Sequence, residues 1–252
     1  MAVMDEFREE REALKHGTPK EKFNYFMDYY KWYVIIGVLV ILAGIYTIRE
    51  VMNRKETVLY ASLLNTVELE TADQYNSDFM DSVSLDRDQY QMLFDAETWI
   101  DVNSMDETTM ANSQKIAAHL AAGELDLMIT DTDSLTTYSY QEDFLTMEEL
   151  LSPEQYERYQ PYFYYIDQET VQEWHDYISD YDNLMLEIDF EFPDPRKPEE
   201  MRTPVAVGIF MDDCKGLKES YHFKSDDVAF CVFANSSHTE TALEYLDYLM
   251  QH

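Results

Sequence analysis

The residues best placed to do chemistry lie in two short polar runs. Thr130-Asp131-Thr132-Asp133-Ser134 follows the apolar Leu127-Met128-Ile129, and Asn65-Thr66 follows the β-rich run Thr57–Leu64. In an open α/β sheet, loops leaving the carboxyl ends of parallel strands line the ligand crevice. Hydroxyl, amide and carboxylate groups there can hydrogen-bond a polar solute or coordinate Ca²⁺. Asn65, Thr66, Thr130, Asp131 and Asp133 are therefore the expected ligand-binding residues. An EF-hand is excluded, because the run lacks the central Gly and the closing Glu of that loop. A capped surface loop, needing no ligand, accounts for the same residue types.

Other chemistries find no support in the sequence. There is no GxSxG, HExxH, P-loop or GxGxxG pattern. The six histidines show no metal-ligand spacing, and Trp174-His175-Asp176 reads as the solvated face of a helix. A non-catalytic chain with no metal and no cofactor is expected. If the strands at 204–211 and 228–234 formed a simple hairpin, Cys231 would oppose residue 207, roughly 23 Å from Cys214 at about 3.3 Å per residue. A disulfide needs Cα atoms within about 7 Å, so two free buried thiols are expected.

The elements that must position these groups follow from periodicity and caps. Residues 57–64 read as a buried strand, 70–83 as a helix and 90–100 as a second strand. Helix 109–122 is stopped by Gly123, and a two-residue step leads into the strand 126–130, the αβ half of a βαβ crossover. Residues 140–182 read as mostly helical, with capping boxes at Thr146/Glu149 and Ser152/Gln155. A strand at 184–192 precedes the proline-rich loop 193–200. Strands at 204–211 and 228–234 and a helix at 238–250, capped by Ser237, complete the chain. The fold class is α/β, with a central mixed sheet and a helical insertion over 135–200.

Ahead of this domain, residues 32–48 (WYVIIGVLVILAGIYTI) carry no charge. Seventeen helical residues rise about 25 Å, at the short end of what spans a bilayer. Tyr29, Tyr30, Trp32, Tyr33 and Tyr46 sit where interfacial aromatics belong. No small-residue cleavage site follows, so a persistent anchor is expected. The tail contains a charged helix over 4–16, a stop at Gly17, and a restart with Thr18, Pro19 and Glu21 forming its first turn. Six basic residues precede the apolar run and three follow it closely, which favours the N-terminus inside.

The expected organisation is a cytoplasmic tail at 1–31, a membrane helix at 32–48, a stalk at 49–56 and an extracytoplasmic domain at 57–252. Residues 1–31 hold six basic and seven acidic side chains, which leaves −32 of the net −33 beyond the apolar run. Such a field repels nucleic acid. The partners expected are the membrane, crossed once, and a solute or a neighbouring membrane protein. With 20 Tyr and 13 Phe the chain has the means to build a core, unlike a disordered acidic tail.

Two segments, AAGELDLMITDTDSLTTY…FLTMEELL (121–151) and VAFCVFANSSHTETALEYLDYLM (228–250), resemble pieces of extracellular solute-binding proteins. TPKEKFNYFMDYYKWY (18–33) is similar to the pre-membrane stretch of single-pass membrane proteins of Firmicutes with such ectodomains. The resemblance covers some 50–60 of about 200 ectodomain residues. It implies a solute-binding-like α/β domain that recognises a solute or a neighbouring protein without chemistry. The chain departs from the family in having the anchor in place of a signal peptide and lipobox cysteine, and a mostly helical second part where a second lobe would stand.

Overall fold

The computed structural model describes residues 18–101, 104, 106–141, 144–179 and 190–251. The chain divides into two compact units, Met1–Arg54 and Lys55–His252.

The first unit is dominated by a helix, α1, from Pro19 to Met52. Pro19 stands at its first position, where a missing N–H costs nothing. Within it, Lys31–Glu50 is a 20-residue stretch long and apolar enough to cross a membrane. The expected stalk is therefore helix as far as Met52, and the next element begins at Glu56. The helix expected at 4–16, its stop at Gly17 and the rest of the tail before residue 18 lie outside the described residues.

The second unit is a mixed six-stranded sheet with helices on both faces. Its strands are β1 (Glu56–Leu63), β3 (Tyr90–Asp95), β4 (Leu127–Asp131), β5 (Phe163–Asp167), β6 (Pro204–Phe210) and β8 (Val228–Val232), in the spatial order β3-β1-β4-β8-β6-β5. β1 runs parallel to both β3 and β4, while the β4–β8, β8–β6 and β6–β5 pairs are antiparallel. A separate two-stranded ribbon joins β2 (Thr66–Glu68) to β7 (Tyr221–Phe223).

Strand alternation divides the core in two. Leu59, Ala61, Leu63, Ile129, Phe230 and Val232 pack on one face with Phe79 of α2 (Ala72–Ser82) and Leu246 and Leu249 of α9 (Thr239–Gln251). Tyr60, Met128, Cys231, Val207 and Ile166 pack on the other. There they meet Ile116 and Leu120 of α3 (Glu107–Ala121), Leu135 of α4 (Thr132–Ser139) and Trp174 of α7 (Gln168–Ser179). Between α4 and α7 come two short helices, α5 (Met147–Leu150) and α6 (Pro153–Tyr159), each opened by a complete capping box at Thr146/Glu149 and Ser152/Gln155.

Three sequence expectations change. Residues 163–167 form an edge strand, not part of a helical run, because β6 offers them an antiparallel partner. The strand expected over 90–100 stops at Asp95, whose carboxylate accepts the Glu97 N–H at 3.2 Å and turns the chain. The segment between β6 and β8 is no simple turn, since it holds α8 (Lys215–Ser220) and β7. The strand expected at 184–192 falls mostly outside the described residues, and Phe190 and Phe192 are in irregular structure.

Candidate functional site

The chain leaves β1 toward β3 on one side and returns to β4 on the other, so the topological switch lies between β1 and β4. Asn65 and Asp131 meet at that point. Asn65 adopts φ 54°, a left-handed conformation that Asn tolerates better than most residues. Its amide nitrogen donates to Asp131 Oδ2 and to Ser134 Oγ, both at 2.8 Å, and its amide oxygen accepts the Ile100 N–H at 2.7 Å. Asp131 in turn caps α4 by accepting the Ser134 N–H at 3.1 Å, and Thr130 donates to it at 3.2 Å.

The structure thus brings together four of the five expected site residues and buries them: Asn65, Thr66, Thr130 and Asp131 are each no more than 2% exposed. Asp133 is exposed. The polar groups of Asn65 and Asp131 are directed at one another and at backbone, tying β1, the 98–100 loop and α4 into one rim. The donors facing the Asp131 carboxylate are the Asn65 amide, the Thr130 hydroxyl and the Ser134 N–H. Among the described residues no cluster of His, Cys, Asp and Glu is suited to a metal.

A cleft opens elsewhere on the sheet, beside β5 and β6. It has a volume of about 200 Å³ and eleven wall residues among those described. Ile166, Val205 and Val207 come from the two strands, Val171 and His175 from α7, and Phe144 from the segment before α5. Ser139, Tyr140, Gln141, Thr146 and Gln168 add hydroxyl and amide groups. None of the eleven is Asp, Glu, Lys or Arg. The Tyr140 oxygen accepts the Asp167 N–H at 3.1 Å, and burial pushes this phenol up to about 12. It therefore keeps its proton and remains a donor. The side chains of Gln141 and Gln168 offer both donors and an acceptor.

A carboxylate on β5, next to the wall residues Ile166 and Gln168, is held in place. Asp167 accepts the Thr203 N–H at 2.9 Å and the Thr170 hydroxyl at 3.0 Å, and Arg202 reaches it at 3.4 Å. Burial works to raise its pKa, but these hydrogen bonds outweigh burial and hold it below the usual carboxylate range. Arg202 also pairs with Glu169 and Glu173, so a cation closes this side of α7.

A third grouping contains serine, histidine and aspartate. Asp126 is buried, accepts the Tyr60 N–H at 2.8 Å and the Ser236 hydroxyl at 2.7 Å, and lies 3.0 Å from His238 Nδ1. A nucleophilic triad requires the hydroxyl to face the imidazole. Here Ser236 donates to the carboxylate, and the cluster joins β1, β4 and the start of α9.

The cleft was not legible in the sequence, because its wall is drawn from four elements and the loops around them between 139 and 207. The stretches that supply the wall include Asp167 and Glu173, so a lining without Asp, Glu, Lys or Arg among the described residues shows only once the side-chain directions are known.

No protein-family model and no curated protein matches the chain. Among solved structures it is similar to a cysteine mutant of Corynebacterium glutamicum OxyR, with 12% identity, TM-score 0.26, and coverage of 93% of this chain and 74% of that one. It is also similar to the H2O2-bound cysteine-to-serine mutant of the same protein, with 14% identity, TM-score 0.25, and coverage of 93% and 78%. A likeness this low assigns neither fold nor function.

Proposed function

We propose that the chain is a membrane-tethered binding module, its second unit facing outward and taking a small uncharged solute into the cleft beside β5 and β6. One observation carries this reading: on a chain with 51 acidic residues, none of the cleft-wall side chains among the described residues is Asp, Glu, Lys or Arg. An apolar floor under a ring of neutral donors and acceptors is the composition of a solute site. Carboxylates would disfavour an apolar or uncharged guest by holding water there. The module binds without chemistry, and the rim at Asn65 and Asp131 supports it by fixing the neighbouring strands. The apolar stretch Lys31–Glu50 supplies the tether. The excess of basic residues ahead of it supports an N-terminus inside.

Thermal unfolding of the full chain in detergent, with a panel of monosaccharides, small amides and nucleosides, tests the reading. At least one should raise the melting temperature by mass action. Val205→Phe, which fills the cleft from a half-buried floor position, should abolish that rise. A panel that leaves the melting temperature unmoved overturns the solute reading.

A second reading, an accessory subunit of a membrane complex, has its own observation. Val67, Leu69, Trp99 and Met110 are each 41–50% exposed on the second unit. The Asn112 amide bonds the Trp99 carbonyl at 2.7 Å, placing the first turns of α3 against Trp99. The tyrosine-rich segment 155–182 contributes none of the exposed large apolar side chains among the described residues. Co-purification of a partner that is lost on Trp99→Ser supports this reading, and recovery of the chain alone counts against it.

A further inference from the structure

Away from the cleft, three sulfur atoms converge on the opposite face of the sheet. Met211 follows β6, Cys214 precedes α8, and Met250 lies in the last turn of α9. Cys214 Sγ is 3.6 Å from Met211 Sδ and 3.6 Å from Met250 Sδ. Met211 and Cys214 are buried, Met250 partly so. Thiolate and thioether together are the ligands that select soft ions. Around a trigonal ion with metal–sulfur bonds of about 2.3 Å, the sulfurs would stand about 4 Å apart, a few tenths of an ångström more than either Cys214 contact.

A second observation stands beside the sulfurs. The hydroxyls of Tyr75 and Tyr245 are buried without a hydrogen-bond partner among the described residues. Such groups are uncommon, because each leaves a desolvation cost uncompensated. Tyr245 belongs to the same core as Met211 and Cys214, and Tyr75 packs against that core, as Met250 does.

We infer that Cys214, Met211 and Met250 form a site for one soft monovalent cation of the Cu(I) type. On binding, the Cys214 S–H bond breaks as the sulfur–metal bond forms, and the proton leaves to solvent with no change in oxidation state. The free thiol is pushed up to about 12, chiefly by burial, so at neutral pH it is the metal that brings about deprotonation. Cys231 lies in β8, on the face of the sheet that packs against α3, α4 and α7, and is not part of the site.

The test is titration of the folded full chain in detergent under nitrogen, with Cu(I) supplied from a competing chelator and Ag(I) in parallel as a redox-inert probe. One equivalent should bind, with a thiolate-to-metal absorption band and a raised melting temperature. Cys231→Ser should bind as the parent does. Cys214→Ser should lose the band, and Met250→Leu, a volume-conserving change at a partly buried position, should weaken binding about tenfold or more. If Cys214→Ser fails to fold, Met250→Leu decides alone. No binding by the folded parent, or parent-like affinity in Met250→Leu, overturns the site.

Discussion

Asn65 Nδ2 donates to Asp131 Oδ2 at 2.8 Å, a contact that joins the ends of two parallel strands 66 residues apart in sequence. The same Asn side chain satisfies Ser134 and the Ile100 N–H, and its backbone sits at φ 54°. Asn65→Ala therefore leaves a buried carboxylate short of a donor and places a Cβ-only residue in the left-handed region. The expected loss is about 2–4 kcal/mol, since an unmet buried partner costs about 1–3 and the backbone term about 1 more. Urea unfolding of the full chain in detergent measures it. Asp133→Ala, at an exposed position in the first turn of α4, should change the unfolding free energy by less than about 0.5 kcal/mol.

The β6–β8 pairing makes Gly208 a second test. Cys231 faces Gly208, one residue away from the position expected from a simple hairpin. A Cβ at 208 would meet Cys231 Sγ at 2.6 Å and the Phe230 carbonyl oxygen at 2.8 Å. Gly208→Ala should destabilise by about 1–3 kcal/mol through overpacking. Adding Cys231→Ala should recover only part of this, because the carbonyl contact belongs to the backbone. Full recovery in the urea midpoint would show that the sulfur alone limits the position.

Asp167 gives a pH dependence with a defined sign. Its folded-state pKa lies below the ordinary value because hydrogen bonds from Thr203, Thr170 and Arg202 outweigh burial. Its stability contribution is therefore present above the unfolded carboxylate pKa of about 3.9 and is lost as pH falls through the lower folded value. Asp167→Asn should be less stable than the parent at pH 6, and the gap should narrow as the pH approaches 3. A gap that widens with acid would contradict the assignment.

Local signals in the sequence carried through to the structure where the interaction itself is local. Gly123 stops α3 at φ 67°, and the Thr146/Glu149 and Ser152/Gln155 boxes form as read, because each involves residues within one turn. The strands of buried composition at 57–64, 126–130, 204–211 and 228–234 all appear within a residue or two of their expected ends. Phe163–Asp167 was read as helical because its tyrosine-rich surroundings gave no alternation, and its strand state comes from β6, some 40 residues on. The rim residues were legible as a group. Their burial was not, because the donors that occupy Asp131 come from Asn65, Thr130 and Ser134 in three dimensions.

The proposed tether makes a prediction independent of the cleft. If the basic excess ahead of the apolar stretch holds the N-terminus inside, replacing Lys20, Lys22 and Lys31 by Gln should yield a mixed orientation. Protease protection of an N-terminal tag in intact cells reads the fraction inverted. Unchanged protection would mean that features other than these lysines set the orientation.

The most direct measurement of the account is the side of the membrane on which the last residue lies. Fusions of alkaline phosphatase and of green fluorescent protein after His252, expressed in parallel, report opposite compartments. An outward-facing binding module predicts phosphatase activity with little fluorescence. Bright fluorescence with an inactive phosphatase would place the cleft in the cytosol and contradict the account.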